Sequence, residues 1–578
     1  MHVKLARTAG FCMGVKLAIE KTLASVEQGQ PVYTHGPLIH NRQAIELLEA
    51  KGVLDIEQCP NAPPGIVLLR AHGVPPAVEE ALRARGQQIV DATCPHVVAS
   101  QRRIERYAAQ GYTIVLAGDK DHAEIAALRS RAGPRCLVIS SLDEARALEL
   151  TAPACLIAQT TFSTALYADI AAELRRKLPT LEVVNSICRA TEERQAEALR
   201  LCREVDAMVV VGGRHSANSC RLAELCRQSG KPTFHVETAA ELDPQALAAF
   251  RVVGLTAGAS TPNWVTRSVL QALEDTTPRE PKAQWWLWRG LTALTRSNVY
   301  SALAAAALTY ACTQLMAIPS PSLLLLLAAF CYIFAVTTLN RLAIGEEPPE
   351  LRPPRVAFYQ HHARPLLAAS AVLAIGSVAS IALAGERASL LLLLAAYALG
   401  VAYSVPLVPP RWRRRLPFAR LKDLPASKDL FVAAAWTVVC ALVPWVASGG
   451  RLGAGFAAAV AFAFVLTFVK ANVMDLRDMQ EDFLLGRETL PLLLGAGRTR
   501  YLMAGLAVGL GLALAAAAAS GAAPAVAWLL IASPACLLAH LIWRARVHHA
   551  SDVTSTLIAD GALLLAGLLA LAWHALRP

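Results

Sequence analysis

The sequence predicts a three-lobed α/β soluble half followed by an all-α polytopic membrane half of about nine transmembrane helices. Three observations carry this. Up to Asp275, strand-like runs repeatedly end in a small polar turn and then a helix-like stretch. From Asn298 onward the chain is dominated by runs of Ala, Leu and Val long enough to span a bilayer. The arginines of that second part gather between the runs, and unequally on alternate sides.

The chain has 578 residues, too many for one ordinary domain. Composition divides it into residues 1–275, a linker with a Trp-rich segment at 276–297, and a membrane half at 298–578. A net charge of +11 suits nucleic acid or a membrane surface. The basic residues lie between apolar runs, so the lipid bilayer is the expected partner and nucleic acid is not. The start, MHVKLARTAGF, has no continuous apolar core and does not read as a signal peptide. Thirteen cysteines without such a signal point to metal ligation or burial, not to a disulfide framework.

The stretch EDTTPREPKAQWWLWRGLTALTRSN opens as a Pro- and charge-rich linker. Trp285, Trp286 and Trp288 beside Arg289 and Arg296 then predict a helix lying at the bilayer surface. Apolar segments follow near 298–317, 320–339, 364–384, 388–408, 430–448, 453–471, 501–520, 523–543 and 556–574. With the soluble half in the cytoplasm, the loops on that side carry Arg341, Arg352 and Arg355, then Arg411 to Lys428, then Arg477 to Arg500, then Arg544 and Arg546. The opposite loops keep little beyond Arg387 and Arg451. The expectation is a multi-pass protein of the inner (cytoplasmic) membrane with its N-terminal domain in the cytoplasm.

In the soluble half, RAHGV, QTTFS, RHSANS and TAGASTPN each follow a strand-like run and open a helix. Each turn offers hydroxyls, amides or free backbone N–H groups at a helix start, a ready anion site. Ser and Thr are also ordinary helix caps, but their recurrence at strand ends favours one shared pocket. Cys12 of GFCMGV, Cys94 of DATCPHV and Cys188 of NSICRAT divide this half into three similar stretches. Three lobes would each bring one thiolate to a central axis, and three thiolates suit an iron–sulfur cube with one open iron. On spacing alone, three small buried side chains remain the alternative.

GFCMGVKLAIEK, HGPLIHN, RAHGV, DATCP, HAE, QTT, ICRAT, RQ, HSANSCRL and TAGAS occur in the order seen in the LytB/IspH family of 4-hydroxy-3-methylbut-2-enyl diphosphate reductases, which residues 1–275 resemble. The resemblance implies a 4Fe–4S cluster on Cys12, Cys94 and Cys188, fed by a low-potential donor such as ferredoxin or flavodoxin. It implies that His40, His72, His122, Ser216, Asn218 and Ser260 hold the diphosphate. It makes Glu124 the proton donor and has Thr160 hold the substrate hydroxyl, with isopentenyl and dimethylallyl diphosphate as products. Two departures stand out. The family's HPEV is HAEI here, with Ala123 for proline, and its paired serines become Ser216 and Ala217, which removes one hydroxyl from the clamp. Cys220 has no assigned role.

In the membrane half, Asp475, Asp478 and Asp482 share a face if helical, and something positive should compensate them. Magnesium holding a diphosphate is the natural candidate. Together with GRETLP, this stretch resembles the second acidic motif of UbiA-type prenyltransferases, and the resemblance spans about 298–575. Lys422 or Lys428, in a loop similar to that family's basic loop, would meet phosphate. Asn340 stands where the first acidic motif begins, but its aspartates are missing, with Ile344 in one place and only Glu346 and Glu347 near. The overall expectation is a reductase making C5 diphosphates fused to a domain that binds or transfers prenyl diphosphates. The alternatives are a non-catalytic membrane anchor or binding module, and a cluster that acts as a redox sensor.

Overall fold

The computed structural model describes residues 2–276, 283–318, 322–342, 354–385, 387–404, 424, 426–450, 452–485, 487–546 and 552–576. It divides into two compact units, Met1–Glu280 and Pro281–Pro578.

The first unit holds three four-stranded sheets, and every strand pairing in them is parallel. One contains β2 (Val32–Thr34), β3 (Val53–Asp55), β4 (Ile66–Leu69) and β5 (Gln88–Asp91), in the order β3-β2-β4-β5. The next contains β6 (Thr113–Ala117), β7 (Cys136–Ile139), β8 (Ala154–Ala158) and β9 (Glu182–Val184), in the order β7-β6-β8-β9. The last contains β10 (Ala207–Val211), β11 (Thr233–Val236), β12 (Val252–Ala257) and, at its edge, β1 (His2–Leu5), in the order β11-β10-β12-β1. Counted within its lobe, each sheet therefore reads 2-1-3-4, and the third lobe is completed by the chain's first strand. The inner strands β4, β8 and β10 are buried at every residue, as expected for parallel strands covered on both faces.

The covering helices are α1 (Met13–Val26), α2 (Arg42–Ala50), α3 (Pro76–Ala84), α4 (Pro95–Ala109), α5 (Ala123–Ala132), α6 (Leu142–Ala147), α7 (Thr164–Lys177), α8 (Arg189–Cys202), α9 (Ala217–Gln228), α10 (Pro244–Leu247) and α11 (Asn263–Asp275). In a 2-1-3-4 sheet the strand order reverses between the first and third strands, and ligands gather in the crevice beyond such a reversal. Those two strands end level in the second and third lobes, where Ala117 pairs with Ala158 and Val211 with Ala257, and one residue apart in the first, where Thr34 pairs with Leu68 and β4 runs on to Leu69. The turns that follow them are thereby side by side.

The second unit is helical: α12 (Ala283–Arg296), α13 (Val299–Leu315), α14 (Leu323–Leu342), α15 (Pro354–His361), α16 (Ala363–Leu383), α17 (Arg387–Ser404), α18 (Ser427–Thr437), α19 (Val443–Ala447), α20 (Ala454–Leu485), α21 (Leu490–Leu494), α22 (Ala496–Ala519), α23 (Val526–Leu530), α24 (Ala532–Arg546) and α25 (Asp552–Ala575). Among the described residues, seven helices are long and apolar enough to cross a membrane, and Val299–Leu315 and Arg387–Tyr403 are shorter apolar helices. Small residues let these helices approach closely: a Cβ on Gly567 of α25 would lie 2.5 Å from the Cβ of Ala307 on α13. A π-helical turn, Val438–Leu442, joins α18 to α19 just before Pro444. The wider turn accommodates a proline that lacks its N–H and would crowd the carbonyl four residues back. On α12, Arg289 lies over the Trp285 ring at 5.1 Å, while Trp286 and Leu287 are exposed.

Candidate active site

Each lobe of the first unit contributes the same three places to one cavity. After the first strand come His40, His122 and Ser216. After the third come His72, Thr160 and Ser260. After the fourth come Cys94, Cys188 and Cys12, each of them the N-cap of a helix. All nine side chains, with Glu124 and Asn218, line that cavity. The lobes even repeat one backbone hydrogen bond. The N–H of each cysteine donates to a carbonyl of the third-strand turn: Cys12 to Ala259 at 2.9 Å, Cys94 to Ala71 at 2.9 Å and Cys188 to Thr160 at 3.0 Å.

The glycines around Cys12 have separate reasons. Gly10 has φ +108°, and a Cβ there would lie 2.1 Å from Asn263 Oδ1. A Cβ on Gly14 would lie 2.5 Å from Cys94 Sγ, so Gly14 makes room for the second thiol. Burial, and then the neighbouring Cys12 and Cys188 thiolates, push the Cys94 thiol above its ordinary range. Burial does the same to Cys188, although its Sγ lies 3.1 Å from Thr191 Oγ1. Three thiolates here call for a positive centre. A single tetrahedral zinc would need its sulfur ligands about 3.8 Å apart, from a Zn–S bond of about 2.3 Å. Among the described residues the three sulfurs do not all close to within 4.8 Å of one another. Their donor set and spread suit a multi-iron cluster better.

Glu124 is wholly buried in the first turn of α5. Its carboxylate accepts from Thr160 twice, from the backbone N–H and from Oγ1, both at 2.8 Å. Those bonds and the helix start favour the charged form, yet burial outweighs them and pushes the carboxyl up to about 7. Gln159, which sequence reading left without a role, positions this pair. Its Oε1 accepts from Asp119 N at 2.9 Å and its Nε2 donates to Thr161 at 3.0 Å, tying the β6 turn to the β8 turn.

The rings of His40, His72 and His122 sit with centroids 4.5, 5.6 and 5.2 Å apart. Burial holds His40 and His122 down to about 4 and His72 well below its usual range, and the Arg70 guanidinium adds to all three effects. The triad is therefore neutral at pH 7. Their ring nitrogens lie within 4.8 Å of one another, near enough to suggest a metal ion. The tautomer of His122 argues otherwise. Its Nδ1 accepts from Glu124 N at 3.1 Å, which leaves the proton on Nε2. That nitrogen is a donor, not a ligand, so the triad is set for an anion. His40 Nε2, His72 Nδ1 and Asn218 Nδ2 are buried without a partner. Ser260 Oγ donates to the His40 carbonyl at 3.1 Å, which fixes that loop and commits its proton. Arg70, which opens the RAHGV motif, is the cation whose charge acts on all three rings, a role the motif alone did not assign.

Residues 3–274 match the LytB protein family model. A 4-hydroxy-3-methylbut-2-enyl diphosphate reductase from Alkaliphilus oremlandii (strain OhILAs) is 38% identical over 279 residues, covering 48% of this chain and 100% of that protein. The chain belongs to the LytB family. The reductase of that name from Nitratidesulfovibrio vulgaris is 44% identical over 279 residues, 47% of this chain and 99% of its own. The LytB half is accordingly an oxidoreductase. Residues 353–574 match the UbiA prenyltransferase family model. A UbiA homolog from Archaeoglobus fulgidus, solved with DMAPP and Mg2+, is 17% identical with a TM-score of 0.34, over 48% of this chain and 97% of its own.

In the UbiA-like half, the apolar run near 453–471 does not end where its charges begin. It continues as α20 to Leu485, because the charged residues find cationic partners. Lys428 Nζ lies 2.6 Å from Asp475, Arg477 grips Asp478 with two bonds of 2.7 Å, and Arg487 lies 3.2 Å from Asp482. The expected compensation is thus supplied by protein side chains. Asp475 Oδ2 and Asp482 Oδ2 still lack a partner, as does Oδ1 of Asp429, a buried carboxyl in the first turn of α18. Asn340 is exposed near the end of α14. Ile344, Glu346, Glu347 and Lys422 lie outside the described residues.

Proposed function

We propose that the LytB half reduces 4-hydroxy-3-methylbut-2-enyl diphosphate to isopentenyl and dimethylallyl diphosphate, using a 4Fe–4S cluster held by Cys12, Cys94 and Cys188. The observation that carries this is the buried Glu124–Thr160 pair, in one cavity with three cysteines and three histidines. Substrate, two electrons and two protons give the alkene diphosphate and water. The cluster supplies the electrons, received from a low-potential donor such as ferredoxin or flavodoxin. His40, His72, His122, Ser216 and Asn218 hold the diphosphate by donating to its oxygens, and Arg70 adds a fixed positive charge. Ser260 joins them once its hydroxyl turns from the His40 carbonyl. Glu124, poised near pH 7, holds the proton that leaves with the hydroxyl, and Thr160 Oγ1 relays it. Glu124→Gln keeps the shape and loses that proton. Turnover with a chemical reductant should fall about 10²-fold or more at unchanged iron content. Near wild-type turnover would remove Glu124 from the role.

The UbiA-like half is proposed to lie in the inner membrane as a multi-pass domain, with the reductase on the cytoplasmic side. It is proposed to bind a prenyl diphosphate through magnesium at Asp475, Asp478 and Asp482, assisted by Lys428, while Lys422 and Asn340 remain candidates by motif alone. The unpaired oxygens of Asp475 and Asp482 support this, since magnesium commonly takes one or two carboxylates and completes its shell with water and phosphate. Without the aspartates of the first motif, transfer is expected to be weak.

A further inference from the structure

Arg194 is 4% exposed on α8, yet among the described residues no carboxylate lies within salt-bridge distance of it. The two nearest acids are engaged elsewhere. Glu193 pairs with Arg189 at 2.7 Å, and Glu197 accepts from Arg7 N, Thr8 N and Thr8 Oγ1 at 2.8 to 2.9 Å. Arg194 instead donates to two carbonyls. Its NH2 reaches Gly10, two residues before Cys12, at 2.6 Å, and its NH1 reaches Ala190, two residues after Cys188, at 3.1 Å. Its Nε–H is buried with no acceptor. Its strongest electrostatic attractions are to the Cys12 and Cys188 thiolates, ahead of Glu193 and Glu197. A buried cation without a carboxylate needs a negative group nearby, and the groups that attract it most are the sulfurs of Cys12 and Cys188.

We propose that Arg194 is a positioning residue of the cysteine site, joining the Cys12 and Cys188 segments and, through its charge, making the iron–sulfur cluster easier to reduce. The inference rests on the reading of the three cysteines as cluster ligands. A fixed positive charge favours the more negative, reduced state, and hydrogen bonds and nearby charge are established levers on cluster potentials. The guanidinium also spans two carbonyls that a shorter or singly branched side chain would not reach together.

The test uses the full-length protein, reconstituted anaerobically, as wild type, Arg194→Gln and Arg194→Lys. Iron per chain and the midpoint potential are measured, the latter by dye-mediated titration followed by visible absorption. In Arg194→Gln the reduced-to-oxidised ratio at a fixed applied potential should fall about tenfold, a shift of about 59 mV to more negative potential for one electron. Arg194→Lys, which keeps the charge, should stay near the wild-type potential. A wild-type potential in fully loaded Arg194→Gln would overturn the charge claim. If Arg194→Gln cannot hold iron, the lysine variant decides: full iron at wild-type potential supports the proposal, and loss of iron there too reduces Arg194 to a shape role and overturns it. Wild-type protein that takes up no cluster would instead overturn the cysteine reading itself.

Discussion

At Glu124, burial opposes everything local. The first turn of a helix and two hydrogen bonds from Thr160 favour the carboxylate, yet the carboxyl rests near 7 because no water reaches it. The sign of the linked stability follows. The folded protein holds this proton between about 4.5 and about 7 while the unfolded chain releases it, so the contribution is full below 4.5 and is lost as pH rises through 7. The loss is on the order of 3 kcal/mol for a shift of this size. Glu124→Gln removes that dependence. Thermal unfolding of the two proteins should show the variant gaining on wild type between pH 5 and pH 8, and a constant difference would place the proton elsewhere. Glu124, Thr160 and the three histidines were legible in the sequence because they sit in short motifs. Arg70, Gln159 and Arg194 sit in the same motifs, in RAHGV, QTT and RQ, but their roles were not legible, since those depend on which strand ends are neighbours, and a single chain does not display that.

At the scale of elements, the lobes explain the cysteine spacing. Each cysteine follows the fourth strand of a 2-1-3-4 sheet and starts a helix, and in the third lobe that strand is β1. Three lobes could be anticipated from three similar stretches, but the borrowing of β1 by the last sheet could not, because strand order is long-range. Gly14 on α1 is one sensitive point of this arrangement. Gly14→Ala puts a methyl 2.5 Å from Cys94 Sγ and 3.0 Å from its Cβ, so the second thiol must shift. Iron per chain should drop to half or less, while circular dichroism stays that of the wild type; full iron would mean the thiols are not held as described. In the other half, spacing correctly put three aspartates on one face. It did not reveal that α20 runs through them, since that depends on Lys428, Arg477 and Arg487 meeting them.

At the scale of the molecule, two units of different chemistry share one chain, Met1–Glu280 and Pro281–Pro578, and the composition changes near residue 276. Motif order made the reductase reading strong, whereas the degraded first acidic motif left the membrane half open. Its chemistry is testable directly. Binding of a prenyl diphosphate to the full-length protein in detergent should weaken about tenfold without magnesium and in Asp482→Ala, as befits a site that needs the ion to neutralise phosphate. Equal binding in all conditions would leave this half an anchor. The central claim is that three lobes place three thiolates around a redox centre next to a buried acid. Its most direct measurement is iron content and product formation in anaerobically prepared wild type and Cys94→Ser. Wild type should hold about four irons per chain and convert the hydroxymethylbutenyl diphosphate, and Cys94→Ser should lose most of both. A Cys94→Ser protein with full iron and undiminished turnover would contradict the account.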